Sequence, residues 1–164
     1  MAIAELLLPE FDHEVGTTRK LLERVPDAEL AWKPHGKSMS LGELASHISL
    51  IPVWAGTILD ATSFDMAAAS LRPEPKSSTA DIVSAFDAGA RATRARLTAK
   101  SDPEMTALWT LKRGADQVLS VPRIGALRGF IMNHLIHHRG QLSVYLRLLN
   151  VPVPSMYGPS ADES

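Results

Sequence analysis

The sequence predicts an all-α fold, a four-helix bundle in a single domain, and three observations support this. Four segments repeat apolar residues at intervals of three and four, which is the spacing of one helix face. Proline, glycine and serine cluster between these segments, as is typical of connecting loops. The chain of 164 residues is long enough to bury a core without disulfide bonds, and it contains no cysteine. We therefore expect residues 1–164 to form one domain, with a loose polar tail from about residue 158.

The first predicted helix covers residues 9–24. It ends before Pro26, because the residue before a proline is disfavoured in the helical conformation. Pro34 and Gly36 mark the loop that follows. The residues expected on its buried face are Phe11, Val15, Thr18, Leu22 and Val25.

The second helix is predicted to begin after Ser40. Ser40 and Glu43 have the spacing of a capping box, in which each side chain binds the other residue's backbone N–H. Pro52 interrupts the apolar pattern and should kink the helix, since proline removes a backbone hydrogen bond. The residues expected on the buried face are Leu44, Ile48, Ile51, Ala55 and Ile58.

A long connection, residues 61–78 with Pro73 and Pro75, separates the second and third helices. Ser78 can cap the third helix, and Asp81 suits the positive end of its dipole. The residues expected on the buried face of this helix are Ile82, Phe86, Ala90, Thr93 and Leu97.

The pattern changes after Pro103. Two short β-prone runs, 108–111 and 117–120, flank the sequence Lys-Arg-Gly-Ala-Asp and predict a short hairpin before the last helix. Pro122 suits the first position of that helix, which should reach about Asn150. The residues expected on its apolar face are Ile124, Leu127, Ile131, Leu135, Leu142, Tyr145 and Leu149.

Charge and hydropathy exclude several classes of partner. The net charge is −1, from 17 basic and 18 acidic residues, and no dense basic block indicates nucleic-acid binding. The sequence contains no apolar run of about 18 residues, the length that a transmembrane helix needs, so we expect no membrane partner. The N-terminal apolar run lacks a preceding basic segment and does not read as a signal peptide. The absence of cysteine agrees with a cytoplasmic protein.

Two histidines of the last helix, His134 and His138, are four residues apart and therefore lie on one face. They fall within the apolar stripe, where an unpaired imidazole nitrogen costs about 1–3 kcal/mol. Binding one cation would satisfy both rings, and neutral imidazole is a common ligand for zinc and nickel. The same spacing also arises by chance in a chain with six histidines, in which case the two rings would simply be hydrogen-bonded.

A third ligand must come from another helix, and His47 is the candidate because it lies close to the apolar stripe of the second helix. The expected metal ligands are thus His47, His134 and His138. Three protein ligands leave an open position for water or substrate, as in catalytic zinc sites. A single histidine on a helix stripe, such as His47, is more often a hydrogen-bonded core residue than a ligand, so a purely structural bundle is the alternative.

The remaining histidines are expected at the surface: His13, His35 and His137. Other catalytic motifs do not fit. Leu135 replaces the glutamate that a zincin motif requires, and neither a P-loop nor a Gly-x-Ser-x-Gly elbow is present. Near the histidine pair are three further polar residues, Asn133, Arg139 and Gln141, and spacing alone does not show whether they orient ligands or substrate. No catalytic residue is assigned from the sequence.

Two histidine-bearing stretches resemble the DinB family, also called DinB-like or YfiT-like proteins. They are residues 133–142, Asn-His-Leu-Ile-His-His-Arg-Gly-Gln-Leu, and residues 38–48, Ser-Met-Ser-Leu-Gly-Glu-Leu-Ala-Ser-His-Ile. The ending at residues 157–163 is similar as well. The resemblance implies a four-helix bundle with a long connection, a divalent metal held by His47, His134 and His138, and pairing into a homodimer.

The resemblance also suggests an activity, because the broader family includes thiol-dependent S-transferases and a thiol-dependent isomerase. We therefore expect a metal-dependent enzyme that activates a low-molecular-weight thiol for attack on a small electrophile, with zinc or nickel as the metal. The alternatives are a metal-dependent hydrolase that uses the same site, and a non-catalytic metal- or ligand-binding protein related to stress.

Overall fold

The fold is that of a computed structural model, which describes residues 2–68 and 74–163. Within these residues the chain is predominantly helical. Its helices are α1 (Ile3–Leu22), α2 (Leu41–Leu50), α3 (Ala55–Leu59), α4 (Thr79–Thr98), α5 (Asp102–Thr106), α6 (Arg123–Leu127) and α7 (His134–Leu148). A π-helix, Arg128–Asn133, joins α6 to α7, and 3₁₀ turns occupy Asp27–Glu29 and Pro52–Trp54. The strands are β1 (Ser63–Asp65), β2 (Leu108–Arg113) and β3 (Asp116–Pro122).

Helices α1, α2, α4 and α7 surround the core. Helices α1 and α2 each pack against both α4 and α7, so each helix has two neighbours. Most of the predicted apolar faces are buried, and the fully buried members of the core include Leu22, Leu44, Ile48, Ile51, Ile82, Phe86, Leu97, Leu127, Ile131 and Leu142. The packing of α2 against α7 brings the predicted histidine-bearing helices together.

Helix α1 begins earlier than predicted. The sequence placed its start at Pro9, whereas the helix starts at Ile3 and contains Pro9 in its interior. Ala4 and Leu7 are buried in the core, which favours helical structure before the proline. The Glu5 carboxylate also accepts the Ala2 N–H at 3.0 Å and satisfies one of the free donors at the helix start.

The boundaries of the next helices agree with the predictions. The Glu43 N–H donates to the Ser40 hydroxyl at 3.1 Å, and the Ser40 N–H donates to the Glu43 carboxylate at 2.6 Å. Pro52 begins a 3₁₀ turn between α2 and α3, so the predicted kink is a change of helix type. The Ser78 hydroxyl caps α4 by accepting the Asp81 N–H at 3.1 Å.

The all-α prediction is wrong in one respect, because the chain also forms a three-stranded sheet in the order β1-β2-β3. The predicted hairpin is present as the antiparallel pair β2 and β3, with Gly114 in its turn at a φ of 61°. Strand β1 comes from the long connection and pairs in parallel with β2. It has three residues, which is too short for an alternating pattern to be recognised in the sequence.

The structure describes part of the predicted long connection, and it describes the predicted tail up to residue 163. Residues 69–73, which include Pro73, lie outside the described residues. The tail from residue 158 makes contacts with the rest of the chain: the Val153 N–H donates to Asp162 at 2.9 Å, and Arg24 pairs with Glu163 at 2.8 Å. In residues 2–68 and 74–163, no helix has both the length and the apolar character needed to cross a membrane.

Candidate metal centre

The three histidines predicted as ligands lie together in the structure. His47 is on α2, and His134 and His138 are one turn apart on α7. The Nε2 atoms of His47 and His134 are 3.3 Å apart, and those of His134 and His138 are 2.8 Å apart. One ring nitrogen from each residue lies within 4.8 Å of the others. Two helices from distant parts of the sequence therefore direct three imidazoles at one point.

Hydrogen bonds on the far side of two rings fix their tautomers. His138 Nδ1 lies 2.8 Å from the Gln141 side-chain oxygen, and His134 Nδ1 lies 3.3 Å from the Phe130 carbonyl oxygen. Both oxygens only accept hydrogen bonds, so each Nδ1 carries a proton and each Nε2 presents a lone pair. The lone pairs of His134 and His138 consequently face each other across 2.8 Å.

This donor set suits a divalent cation. Two facing lone pairs repel unless a proton or a cation lies between them. Zinc–imidazole bonds of about 2.0–2.1 Å in a tetrahedral site place neighbouring nitrogens about 3.3 Å apart. The observed separations of 2.8 and 3.3 Å fall at or slightly below that value. The outward Nδ1–H bonds are the kind of support that orients histidines in metal sites.

The electrostatic environment keeps the three rings neutral. The pKa of His47 is lowered to about 4, mainly because burial disfavours the imidazolium and further because charges on His138 and His134 would repel it. Burial also lowers the pKa values of His134 and His138, although the hydrogen bonds to Phe130 and Gln141 partly oppose the shift. All three rings therefore have lone pairs available near neutral pH.

The π-helix ends at the residue before His134 and helps to orient this ring. The His134 N–H is directed at the Ile131 carbonyl, and the Phe130 carbonyl one residue earlier accepts from the ring. A π-helix is rare and often occurs at functional sites, because it changes which carbonyls the backbone ladder uses. The apolar periodicity of the sequence gives no sign of it.

A cavity of about 300 Å³ lies beside the histidines, and His47 and His134 form part of its wall. We call it the apolar cavity. Its aromatic lining consists of Trp54, Phe64, Trp109 and Phe130, and its other large apolar side chains are Ile58, Met66, Leu111 and Ile131. Trp54 contacts two ligand candidates: its ring centre is 5.3 Å from that of His47 and 5.7 Å from that of His134. Sequence reasoning missed this cavity because its walls come from α3, the sheet and the π-helix.

The other polar candidates have separate roles. His13, His35 and His137 are exposed, as expected. Gln141 orients His138, whereas Asn133 is exposed at the end of the π-helix. Arg139 points to the opposite side of α7 and is 1% exposed, in an ion pair with Glu14. Because it serves that ion pair, it is not available to a substrate in the apolar cavity.

Glu14 was also missed as a buried residue. In a helix that starts at Ile3 it follows Leu7 and Phe11 at the spacing of the buried face, and it is 5% exposed. Within the predicted helix it also lies three residues after Phe11 and four before Thr18, both of which are buried. That spacing was the signal that would have identified it.

Comparison with known proteins agrees with this architecture. The sequence model of the DinB family matches residues 1–164. The chain belongs to the DinB family. A DinB-like protein from Bacillus cereus ATCC 10987 has a similar structure, with a TM-score of 0.74 and 25% identity, over 95% of this chain and 98% of the other.

Two further relatives of this DinB chain come from Bacillus subtilis. The DinB-like protein YjoA superposes with a TM-score of 0.69 at 23% identity, over 93% of this chain and 99% of its own, which supports the fold alone. The uncharacterized protein YrdA of strain 168 is 28% identical over 158 residues, which cover 95% of this chain and 89% of YrdA. These similarities establish family and fold, and the three-histidine geometry is the feature that indicates chemistry.

Proposed function

We propose that this DinB protein is a metal-dependent enzyme of the thiol S-transferase type. The observation that carries the proposal is the convergence of His47, His134 and His138 at the wall of the apolar cavity. Zinc or nickel is the expected metal, because both accept imidazole ligands. When bound there, such an ion would coordinate a thiol sulfur and lower its pKa, so that a thiolate faces an electrophile.

The residues of the chain supply orientation and shielding for this chemistry. Gln141 and the Phe130 carbonyl hold two imidazoles with Nε2 directed inward. The ring of Trp54 stacks on His134 and limits access of water on that side. Since the chain has no cysteine, the thiol must be a separate low-molecular-weight molecule.

The composition of the cavity favours a thiol over water as the nucleophile. Among the described residues that line it, none carries a carboxylate that would act as a general base. In a hydrolase such a base removes a proton from the attacking water. A thiol needs no such base, because it already ionises near neutral pH once its pKa is lowered. The hydrolase alternative uses the same three histidines and is the second outcome to test.

The decisive experiment begins with the metal content of protein purified without a histidine tag. We expect about one zinc or nickel ion per chain after incubation with the metal and dialysis. Far less than one ion would end both enzyme proposals and leave a hydrogen-bonded structural bundle.

Activity is then measured with a panel of small thiols and electrophiles, for the parent protein and for His47→Ala and His138→Ala. We expect thiol-dependent turnover that both substitutions abolish. Equal turnover by variants and parent would exclude catalysis at this site. Metal binding without turnover of any pair would favour the non-catalytic binding protein, and turnover without a thiol would favour the hydrolase.

We infer from membership of the DinB family that α1, α2, α4 and α7 form a four-helix bundle and that the protein is a homodimer. The expected mass in sedimentation equilibrium is twice 17.8 kDa, and a monomer at micromolar concentration would contradict the dimer.

A further inference from the structure

The apolar cavity contains polar groups, and the protein itself uses them. The Thr57 hydroxyl donates to the Trp54 carbonyl at 2.7 Å, and the Trp109 indole N–H donates to the Thr57 carbonyl at 2.9 Å. The only ionisable side chains among the described residues of the wall are the two histidines, His47 and His134. Away from the histidines, the described residues of the wall therefore offer a ligand mainly ring faces and aliphatic groups, and no charged group.

This apolar lining should favour uncharged ligands over anions. An anion placed in the cavity away from the histidines would lose its hydration without gaining a cation, which is unfavourable. A flat uncharged ring would gain contact with the faces and edges of Trp54, Trp109 and Phe130, and aromatic pairs prefer such arrangements. The Trp109 and Phe130 ring centres lie 5.9 Å apart and already form one continuous aromatic surface.

The volume limits the size of the ligand. A cavity of about 150 Å³ is known to hold benzene, and this one is about 300 Å³. We propose that the apolar cavity binds an uncharged aromatic part of the substrate, about the size of two fused rings, with its reacting group at the histidine end. The identity of the reacting end rests on the proposed function, whereas the preference for a neutral ring depends on the cavity alone.

A pair of probes tests the preference for neutral rings. Naphthalene-2-carboxamide and naphthalene-2-sulfonate share the same ring system and differ in charge. Calorimetric titration of the metal-free full chain, in which no bound cation offsets the sulfonate charge, should show that the carboxamide binds at least tenfold more tightly. Equal or tighter binding of the sulfonate, or no binding of either compound at millimolar concentration, would overturn the inference.

A charge placed in the wall should reverse this preference. Met66 is partly buried, lines the cavity and is not one of the three ligand candidates, so Met66→Lys adds an ammonium group there. We expect weaker carboxamide binding by at least tenfold and tighter binding of the sulfonate than of the carboxamide. Val118→Lys is the matched control, because Val118 is 51% exposed on β3 and outside the cavity, and it should keep the preference of the parent. A preference unchanged in Met66→Lys would place the ligand elsewhere.

A second variant covers the case in which Met66→Lys fails to fold by circular dichroism. Phe130 is 37% exposed, and Phe130→Ala removes one aromatic wall while keeping the carbonyl that accepts from His134. Loss of this wall should weaken carboxamide binding about two- to tenfold. Unchanged affinity would overturn the inference.

Metal uptake, measured on a second portion of each protein after incubation with zinc and dialysis, separates this inference from the proposed function. Uptake of one ion per chain, without preference for the carboxamide in the titration, refutes the ligand assignment and leaves the metal site intact. Carboxamide binding by a chain that takes up no metal supports the cavity and refutes the proposed enzyme.

Discussion

Two polar clusters meet on α7 at neighbouring residues, and they satisfy their polar atoms in opposite ways. Arg139, on one side of the helix, has a full set of partners: the Glu14 carboxylate at 2.7 Å, the Thr18 hydroxyl at 3.3 Å and the Tyr157 hydroxyl at 2.5 Å. The Tyr157 hydroxyl in turn donates to Glu14 at 2.9 Å. His138, on the other side, directs Nε2 at the Nε2 of His134, 2.8 Å away. One cluster is complete, and the other has lone pairs that require a cation or a proton.

This difference separates a structural role from a binding role. The buried Arg139–Glu14 ion pair, with its hydrogen bonds to Thr18 and Tyr157, holds α1 against α7. The histidine cluster is neutral and faces a cavity, so it is arranged to receive something from outside. Burial of polar groups alone therefore does not identify a site, whereas three imidazole nitrogens that converge beside a cavity do.

The largest expected effect is on stability. Arg139→Met leaves the Glu14 carboxylate buried without its cation, which should lower the free energy of unfolding by about 3–5 kcal/mol. Urea titration followed by circular dichroism measures it. Arg94→Met is the control, because it also removes an arginine that pairs with a carboxylate of α1, in this case Asp12. Arg94 is 53% exposed, and such an exposed pair contributes less than about 1 kcal/mol to stability. Equal losses in both variants would refute the structural role of the Arg139 cluster.

The next effect is on metal affinity. His47→Ala removes one of three ligands and should weaken zinc binding more than 100-fold, beyond the roughly 10–100-fold that supporting partners cost. Competition with a coloured chelator measures the affinity. The stability of the metal-free protein should change far less than in Arg139→Met, since no charge loses its partner.

His137→Ala provides the matched control for that experiment. His137 is exposed and adjoins His138, and its ring lies outside the three-histidine group. Its removal should leave zinc affinity nearly unchanged. A loss as large as that of His47→Ala would show that the ligand set is wrong.

A smaller effect is expected from the residue that orients His138. Gln141→Leu removes the acceptor for Nδ1–H and should weaken zinc binding by about 10–100-fold while the protein stays folded. Gln141→Glu keeps an acceptor oxygen and should restore most of the affinity. Failure of glutamate to restore it would mean that Gln141 acts only through packing.

The smallest effect, taken per pH unit, is a pH dependence of the metal-free protein. His47 has a pKa of about 4 in the folded chain and 6.5 as its ordinary value, so the unfolded chain binds the proton more readily. Stability is therefore complete above about pH 6.5 and decreases as the pH falls towards 4, by at most about 1.4 kcal/mol per pH unit from this residue. Urea titrations of His47→Ala between these pH values should show a shallower dependence, and an identical slope would contradict the shift.

Much of the helical framework could be predicted from the sequence because local rules decide it. The Ser40–Glu43 cap, the Pro52 break and the Ser78 cap each depend on residues within one turn. The start of α1 could not, because burial of Ala4 and Leu7 by distant helices outweighs the signal of Pro9. Strand β1 could not either, since it exists only through pairing with β2, about 45 residues later in the chain.

The candidate site divides in the same way. Spacing alone placed His134 and His138 on one face of the last helix and His47 near the apolar face of the second helix. This is possible because 3.6 residues per turn determines the direction of each side chain around its helix. Only tertiary packing decided that α2 and α7 meet at these residues, that a π-helix precedes His134, and that aromatic side chains from the sheet enclose a cavity beside them. Periodicity determines which way a side chain points, and distances between elements follow from how the whole core packs.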